Sequence, residues 1–239
     1  MGPLPPPLPD AAAHAFVADL AVPTLAEDDR HHFERVLRLE PGQAVTVSDG
    51  AGRWRLCSWR PGGGLEPAGE EAEEPAAHPP ITVAFALTKG DRPEWVVQKL
   101  TELGVDRIVA FRSARSVVRW DEHKEAAQAA RWRRVALQAA MQSRRTRLPE
   151  LGEVTGFAGV LTVVAGEGTL AAPGGSSPTL ARPAVLVGPE GGWSDAELSC
   201  GLPSVGLGPT ILRAETAAVA AGTLLCGLRS GTIRPVTGV

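Results

Sequence analysis

The stretch VGPEGGWS at residues 187–194, followed by LGPTILRAETA at residues 207–217, decides the fold class to expect. Each stretch is a glycine-punctuated turn that ends an apolar run, and the second leads into a long alanine-rich segment. This layout is typical of a ligand site at the carboxyl ends of parallel strands. Glycine has no Cβ, so backbone groups can approach a ligand closely there. The sequence therefore predicts a small-molecule site at these turns, the alternative being tight turns that merely need glycine.

The segments around these turns alternate between strand-like and helix-like patterns. Strands are predicted at residues 81–87, 107–111, 161–165, 184–187 and 205–207. Helices are predicted at residues 92–103, 122–143 and from 211 or 212 to 228. The first helix has Asp91 as its N-cap, Pro93 in its first turn and Gly104 at its end. Such alternation indicates an α/β domain with a parallel sheet covered on both faces.

The first part of the chain has a different pattern, typical of a small β-rich module. It predicts a strand at residues 16–22, a helix at 27–39, and a hairpin of strands 44–48 and 54–59 around Asp49-Gly50. Residues 61–80 are rich in Pro, Gly, Glu and Ala without periodicity, which predicts a domain boundary or an exposed loop.

Charge and cysteine content exclude several classes of protein. The net charge is −3, but residues 112–147 hold ten Lys or Arg against three Asp or Glu. This basic segment is either a phosphate-contacting surface or a solvated helix face.

The sequence predicts a cytoplasmic protein without a membrane span, because it has three cysteines without a CxxC motif, no signal peptide and no apolar run of about 20 residues. No HExxH or similar spacing occurs, so no metal site is predicted.

Charged residues near the second glycine turn are candidate functional residues. Glu215 at a helix start is explained by the helix dipole, but Arg213 at the same place is not, because its charge faces the positive end of the helix. A cation tolerated there usually serves a ligand or a fixed acidic partner. Gln142-Ser143-Arg144 at the end of the long helix, and Arg115 after a strand, suit phosphate binding because guanidinium is a planar donor fork.

Several motifs in order resemble the ribosomal RNA small subunit methyltransferase E family, a SPOUT-class group. The two glycine turns carry the resemblance most strongly. Supporting matches are Val36-Leu37-Arg38, Asp49-Gly50, residues 99–105 (KLTELGV), residues 115–118 (RSVV) and Gln142-Ser143-Arg144. The chain departs from the family pattern at Met141, where a Glu is expected, and at residues 61–80, which are longer and richer in Gly and Pro.

The resemblance implies a fold and a reaction. The fold is an N-terminal PUA-like β-barrel at residues 1–76, which binds RNA, and a SPOUT-type α/β domain with a trefoil knot at residues 77–239. The reaction is methylation of N3 of a uridine in 16S rRNA of the small ribosomal subunit, with S-adenosylmethionine as cofactor and a homodimer as the assembly. A SPOUT methyltransferase acting on another RNA, and a non-catalytic RNA-binding ribosome-assembly protein, are the alternatives.

The resemblance also assigns site residues. The cofactor-binding residues are Leu186, Val187, Gly188, Pro189, Glu190, Gly191, Gly192, Leu207, Gly208, Ile211 and Leu212. The RNA-binding residues are Arg35, Arg38, Arg115, Gln142 and Arg144. For catalysis, Arg213 or Arg144 would stabilise an anionic uracil, since Arg stays protonated, and Glu215 is a chemically possible base.

Overall fold

The computed structural model describes residues 10–118 and 120–234; Arg119 of the basic segment lies outside them. The chain divides into two compact units. The first comprises Met1–Ala76 with Leu137–Leu148, and the second comprises Ala77–Ala136 with Pro149–Val239.

The first unit is built on a five-stranded mixed sheet. Its strands are β1 (Ala13–Phe16), β2 (Ala44–Ser48), β3 (Arg53–Arg60), β4 (Gly64–Pro67) and β5 (Ala72–Glu73). β1 runs parallel to β2, β2 pairs antiparallel with β3, and β3 also pairs with β4 and β5. Helix α1 (Glu27–His31) continues as a π-helical turn (His32–Val36), and its Phe33 packs edge-on against Trp59 at 5.8 Å in the core.

Three expectations for this unit are corrected. The first strand is Ala13–Phe16 rather than residues 16–22. The helix ends at Val36 rather than at residue 39, because Arg38 takes a left-handed backbone conformation with φ 52°. Residues 61–80 are not an exposed loop throughout, since β4 and β5 lie within them and extend the sheet from β3, although the division between the two units, after Ala76, does fall in this stretch. The predicted hairpin of β2 and β3 is confirmed.

The second unit contains a seven-stranded, all-parallel sheet in the order β12-β10-β11-β6-β7-β8, with β9 also beside β7. The strands are β6 (Thr82–Ala86), β7 (Arg107–Arg112), β8 (Glu150–Leu151), β9 (Thr155–Gly156), β10 (Gly168–Ser176), β11 (Ala184–Val187) and β12 (Ser204–Val205). The helices are α2 (Arg92–Leu103), α3 (Glu122–Gln142), whose last six residues belong to the first unit, α4 (Phe157–Val164), α5 (Asp195–Leu198) and α6 (Ala214–Ser230).

Both faces of this sheet are covered, as the apolar strands predict. Alternate residues of β6 point to opposite faces: Val83 and Phe85 belong to one core cluster, and Ala84 and Ala86 to the other. Helix α2 follows its end signals closely, since it begins at Arg92 and ends at Gly104, which has φ 90°.

The strand predicted at residues 161–165 is wrong. These residues lie in and just after α4, whose buried Val160 and Val164 stand one helical turn apart. The strand of this region is β10, which begins at Gly168 and pairs with β11 and β12. Helix α6 begins at Ala214 with Arg213 as its N-cap, slightly later than predicted.

Candidate active site

A cavity of about 590 Å³ lies in the second unit, beside β10 and next to the segments that follow β11 and β12. Four segments form its wall: residues 171–173 of β10, the first glycine turn after β11, Leu198 of α5, and the second glycine turn with the start of α6. The cavity size is within the range of small-molecule sites, about 300–1,000 Å³. The cavity therefore lies at the two glycine turns, where the sequence predicts a small-molecule site.

Most of the predicted cofactor residues surround this cavity. Those in its wall are Val187, Gly188, Pro189, Glu190, Gly192, Leu207, Gly208, Ile211 and Leu212. Leu186 is instead fully buried in the core on β11. Gly191 accepts a hydrogen bond at its carbonyl from Nη1 of Arg115, at 3.3 Å. Thus the predicted RNA-binding Arg115 holds the back of the first glycine turn.

The glycines are required for two different reasons. A Cβ on Gly188 would lie 2.9 Å from the indole of Trp193, which is closer than real Cβ contacts allow. Gly192 and Gly208 have φ of 71° and 146°, a region that side chains other than glycine rarely adopt, and a Cβ on either would meet no protein atom within 4 Å. Because both line the cavity, their missing side chains leave room for a ligand.

Trp193 anchors the first glycine turn, and sequence reasoning gave it no role. Its ring stacks on Phe111 with centroids 6.1 Å apart and packs against Phe157 at 5.8 Å. Its Nε1 donates to the carbonyl of Ala171 at 2.9 Å, which joins the turn to the cavity wall of β10. The sequence signal for this role is a tryptophan directly after Gly191-Gly192, since so large a ring needs small neighbours.

Glu197 fastens the same turn to the loop after β7. Only 3% of Glu197 is exposed. One carboxylate oxygen accepts from the hydroxyl of Ser113 at 2.7 Å and from the N–H of Ala114 at 3.0 Å, and the other accepts from Ser194. Burial alone raises the pKa of Glu197, but these hydrogen bonds together lower it below its ordinary value, so the carboxylate stays charged. The capping box of α5, formed by Ser194 and Glu197, was missed although its sequence spacing is typical.

The predicted catalytic residues occupy different places. Arg213 lines the cavity, is exposed, and has no ion-pair partner within residues 10–118 and 120–234. Glu215 lies in the first turn of α6, with Oε1 3.7 Å from Nε of Arg92. Arg144 belongs to the first unit, where its guanidinium donates to the carbonyl of Ala11 and lies 3.8 Å from Asp10. Arg213 thus lies in the cavity wall, Glu215 follows two residues later in the same helix start but outside that wall, and Arg144 is held in the other unit.

The remaining predicted RNA-binding residues belong to the first unit. Arg35 and Arg38 are exposed on either side of Val36 and Leu37, which are 63% and 43% exposed. Gln142 is exposed at the end of α3. Its neighbour Met141, which stands where the family pattern has Glu, packs against the apolar core of this unit.

The described residues include neither a metal-binding group of side chains nor a membrane-spanning helix. Across residues 10–118 and 120–234, no group of three or more His, Cys, Asp or Glu side chains is placed to hold a metal ion. In the same part of the chain, no helix is long and apolar enough to cross a membrane.

Comparison with known proteins identifies the family. A model of the RNA methyltransferase domain matches residues 75–226, and a model of the RNA methyltransferase PUA domain matches residues 25–58. A ribosomal RNA small subunit methyltransferase E from Mycobacterium tuberculosis is 34% identical over 241 residues, covering 90% of this chain and 86% of the relative. The chain belongs to the ribosomal RNA small subunit methyltransferase E family. A relative of the same name from Synechocystis is 36% identical, covering 82% of this chain and 70% of the relative.

Solved structures of similar proteins agree with this assignment. A methyltransferase E from Neisseria gonorrhoeae bound to S-adenosyl methionine is 29% identical with a TM-score of 0.73, covering 90% of this chain and 97% of that chain. A putative methyltransferase from Legionella pneumophila, in complex with the same cofactor, is 28% identical with a TM-score of 0.75, covering 89% and 96%. The resemblance seen in the motifs is therefore confirmed, as is the mixed α/β fold with a parallel sheet.

Proposed function

We propose that the protein methylates N3 of a uridine in 16S rRNA of the small ribosomal subunit, with S-adenosylmethionine as the methyl donor. The observation that carries the proposal is the cavity of about 590 Å³ bounded by both glycine turns, in a chain that belongs to this methyltransferase family. A non-catalytic RNA-binding protein would not need such a cavity.

The residues present fit S-adenosylmethionine. Backbone groups of residues 186–192 and 207–212 would hold its adenine and methionine parts, because glycine there leaves the backbone open to a ligand. Ile211 and Leu212 supply apolar surface at the cavity, and Glu190 supplies a carboxylate. When bound, the cofactor supplies a methyl group from its sulfonium, whose sulfur keeps the electron pair of the broken bond.

The residues of the chain must hold the uracil and remove the proton from its N3. Reacting atoms need to be held about 3–3.5 Å apart. The guanidinium of Arg213 stays protonated and would stabilise the negative charge that develops on the uracil. Glu215 would accept the N3 proton, since its Oε2 is buried and has no hydrogen-bond partner among residues 10–118 and 120–234. Arg144 is proposed to contact the RNA and to share in stabilising the uracil.

RNA binding is proposed to be divided between two domains, residues 1–76 as a PUA-like β-barrel and residues 77–239 as the SPOUT methyltransferase domain. The match of the PUA model to residues 25–58 supports the first assignment. Arg35, Arg38, Arg115, Gln142 and Arg144 are the proposed RNA contacts. If the basic segment neutralises about four phosphates, log affinity for single-stranded RNA should fall against log salt with a slope of about −3. A flat salt dependence would contradict this surface.

A trefoil knot in the second domain is also part of the proposal. It rests on the family to which the chain belongs. In the same region, Val205 of β12 pairs with Ala171 and, after a register shift in β10, with Ser176, and Gly175 and Gly206 approach so closely that a Cβ on Gly206 would lie 2.7 Å from the Gly175 carbonyl oxygen.

The assembly proposed is a cytoplasmic homodimer with the cofactor site near the subunit interface. Ile211 lines the cavity yet is 90% exposed, and a second subunit would cover it. Light scattering on the purified protein tests this part, with a monomer as the contradicting result.

The deciding experiment incubates the purified protein with S-adenosylmethionine and unmethylated small ribosomal subunits, then identifies nucleosides of the digested rRNA by mass spectrometry. New 3-methyluridine at one site is the expected result. If the protein bound the cofactor but did not methylate the subunits, its target would be another RNA. If it showed no cofactor binding and no methylation, the non-catalytic alternative would be favoured.

Arg213→Ala should lower turnover more than cofactor binding, and equal losses in both would contradict its proposed role.

A further inference from the structure

Arg92, the first residue of α2, contacts acidic side chains from two other segments of the second unit. Its Nη1 donates to Oε1 of Glu190 at 2.7 Å, and its Nε lies 3.7 Å from Oε1 of Glu215. Glu190 belongs to the first glycine turn and lines the cavity, whereas Glu215 belongs to the first turn of α6. One guanidinium therefore joins the start of α2, the cavity wall and the start of α6.

The position of Arg92 is electrostatically unfavourable without these partners. A cation at the first residue of a helix faces the positive end of the helix dipole. Without Arg92, the carboxylates of Glu190 and Glu215 would also lack the cation that both of them face. Arginine suits this place because its planar guanidinium has five N–H donors and can serve two carboxylates at once, which a lysine ammonium does less well.

The two carboxylates differ in exposure to solvent and in their remaining hydrogen-bond partners. The side chain of Glu190 is 43% exposed, and that of Glu215 is 15% exposed. Oε2 of Glu215 is buried with no hydrogen-bond partner within residues 10–118 and 120–234. The hydroxyl of Thr88, just after β6, is likewise buried and without a partner in that part of the chain. Buried polar atoms without partners are rare in proteins, so an acceptor held in this state needs an explanation.

We propose that Arg92 is a positioning residue of the methyltransferase site. It holds Glu190 in the wall of the cofactor cavity, and it fixes Glu215, whose neighbours Arg213 and Ala214 line that cavity, so that Oε2 remains an unshared acceptor for a group of the substrate. This inference rests on the proposed function, and it adds a residue outside the glycine turns that neither lines the cavity nor touches the reacting atoms. Arg92 acts on cofactor affinity through Glu190 and on turnover through Glu215.

The test compares Arg92→Ala with Arg107→Ala. The two arginines are equally exposed, at 39%, and each pairs with one glutamate at 2.7–2.8 Å, but the Arg107–Glu150 pair includes no residue of the cavity wall. Calorimetry with S-adenosylmethionine should show the dissociation constant raised about tenfold in Arg92→Ala, which is the size expected from one charged hydrogen bond. Arg107→Ala should stay within about twofold of the wild type, and Arg92→Lys should fall between the two.

A double-substitution cycle separates positioning from a general structural effect. In a Glu190→Gln background, Arg92→Ala should change the dissociation constant by less than about twofold, because its route to the cofactor is already removed. In a Glu215→Gln background, Arg92→Ala should have little further effect on kcat while still weakening cofactor binding. A merely structural role would give the same loss in every background.

The outcomes are distinct. The inference would be overturned if Arg92→Ala bound S-adenosylmethionine as tightly as Arg107→Ala does. It would also be overturned if Arg92→Ala reduced cofactor binding and kcat as much in both glutamine backgrounds as in the wild type. The wild-type protein is measured alongside. If it binds no S-adenosylmethionine, the proposed function fails first, whereas normal binding by wild type and by Arg92→Ala leaves the proposed function intact and overturns only the role of Arg92.

Discussion

His14 in the first unit and Glu197 in the second are both buried titratable residues that join distant segments, and both have a lowered pKa. His14 is 3% exposed; its Nε2 donates to the carbonyl of Arg145 at 3.1 Å, and its Nδ1 accepts from the hydroxyl of Thr46 at 2.9 Å. Glu197 is equally buried and accepts from Ser113, Ala114 and Ser194. His14 joins β1 to the segment after α3, and Glu197 joins α5 to the loop after β7.

The physical causes of the two shifts are opposite. Burial lowers the pKa of His14 to about 4 because it disfavours the charged imidazolium, and the nearby charge of Arg144 lowers it further, against the hydrogen bond to Arg145. Burial would raise the pKa of Glu197, but hydrogen bonds to its charged form lower it. The same direction of shift thus stabilises a neutral group in one unit and a charged group in the other.

The largest effect is expected from His14→Ala at pH 7. The substitution leaves a cavity and removes the His14 hydrogen-bond partner of the Thr46 hydroxyl, the Ser48 hydroxyl and the Arg145 carbonyl, which should cost about 4 kcal/mol of unfolding free energy. Urea denaturation measures it. His31→Ala, at an exposed histidine, is the control and should stay within about 0.5 kcal/mol. Equal effects of the two substitutions would contradict the structural role of His14.

The pH dependence of stability should separate the two residues. An unfolded histidine takes up its proton near pH 6.5, but folded His14 does so only near pH 4. Its contribution is therefore complete above pH 6.5, and about 3 kcal/mol should be lost as the pH falls from 6.5 to 4. Unfolding free energies of wild type and His14→Ala over this range check the prediction. Parallel curves would show that His14 does not carry the loss.

Glu197→Gln should have a smaller effect, in a lower pH window. At pH 7 it replaces a carboxylate that accepts four hydrogen bonds, and we expect a cost of about 2 kcal/mol. Because the folded pKa lies below the unfolded value of about 4.3, the advantage of the wild type is present above that pH and is lost as the pH falls through the folded pKa. A difference between wild type and variant that persists unchanged at pH 3 would be the contradicting observation.

The smallest effect is expected at an exposed carboxylate. Glu66 pairs with Arg60 across β3 and β4, and both side chains are more than half exposed. Glu66→Gln should change the unfolding free energy by less than about 0.5 kcal/mol, because water and salt screen such a pair. A loss as large as that of Glu197→Gln would show that burial is not what distinguishes Glu197.

Local signals in the sequence predicted much of the second unit correctly. Helix α2 begins and ends where Asp91, Pro93 and Gly104 indicate, because helix ends depend on nearby residues. β6 and β11 were predicted from short apolar runs, which fit strands buried on both faces. Nine of the eleven predicted cofactor residues line the cavity, since glycine turns after such strands mark the carboxyl edge of the sheet.

The errors arose where one local pattern fits two structures. The apolar run LTVVA at residues 161–165 was assigned to a strand although it lies in and just after α4, because a short apolar run does not distinguish a buried helix from a buried strand. Because the strand was placed there, β10 was not predicted, and neither was the part of the cavity wall that residues 171–173 form. In residues 61–80, turn-forming composition concealed β4 and β5, which exist because they pair with β3.

The family, the two glycine turns and the parallel α/β class can be read from the amino-acid sequence, because turn chemistry and apolar periodicity act over a few residues. The contacts of Ala171 with Trp193, of Glu197 with Ser113 across 84 positions, and of His14 with Arg145 across 131 positions become visible only in the folded chain. These contacts depend on the order of strands in each sheet and on which segments share a compact unit. No local pattern encodes that order, since it is fixed by the burial of all the elements together.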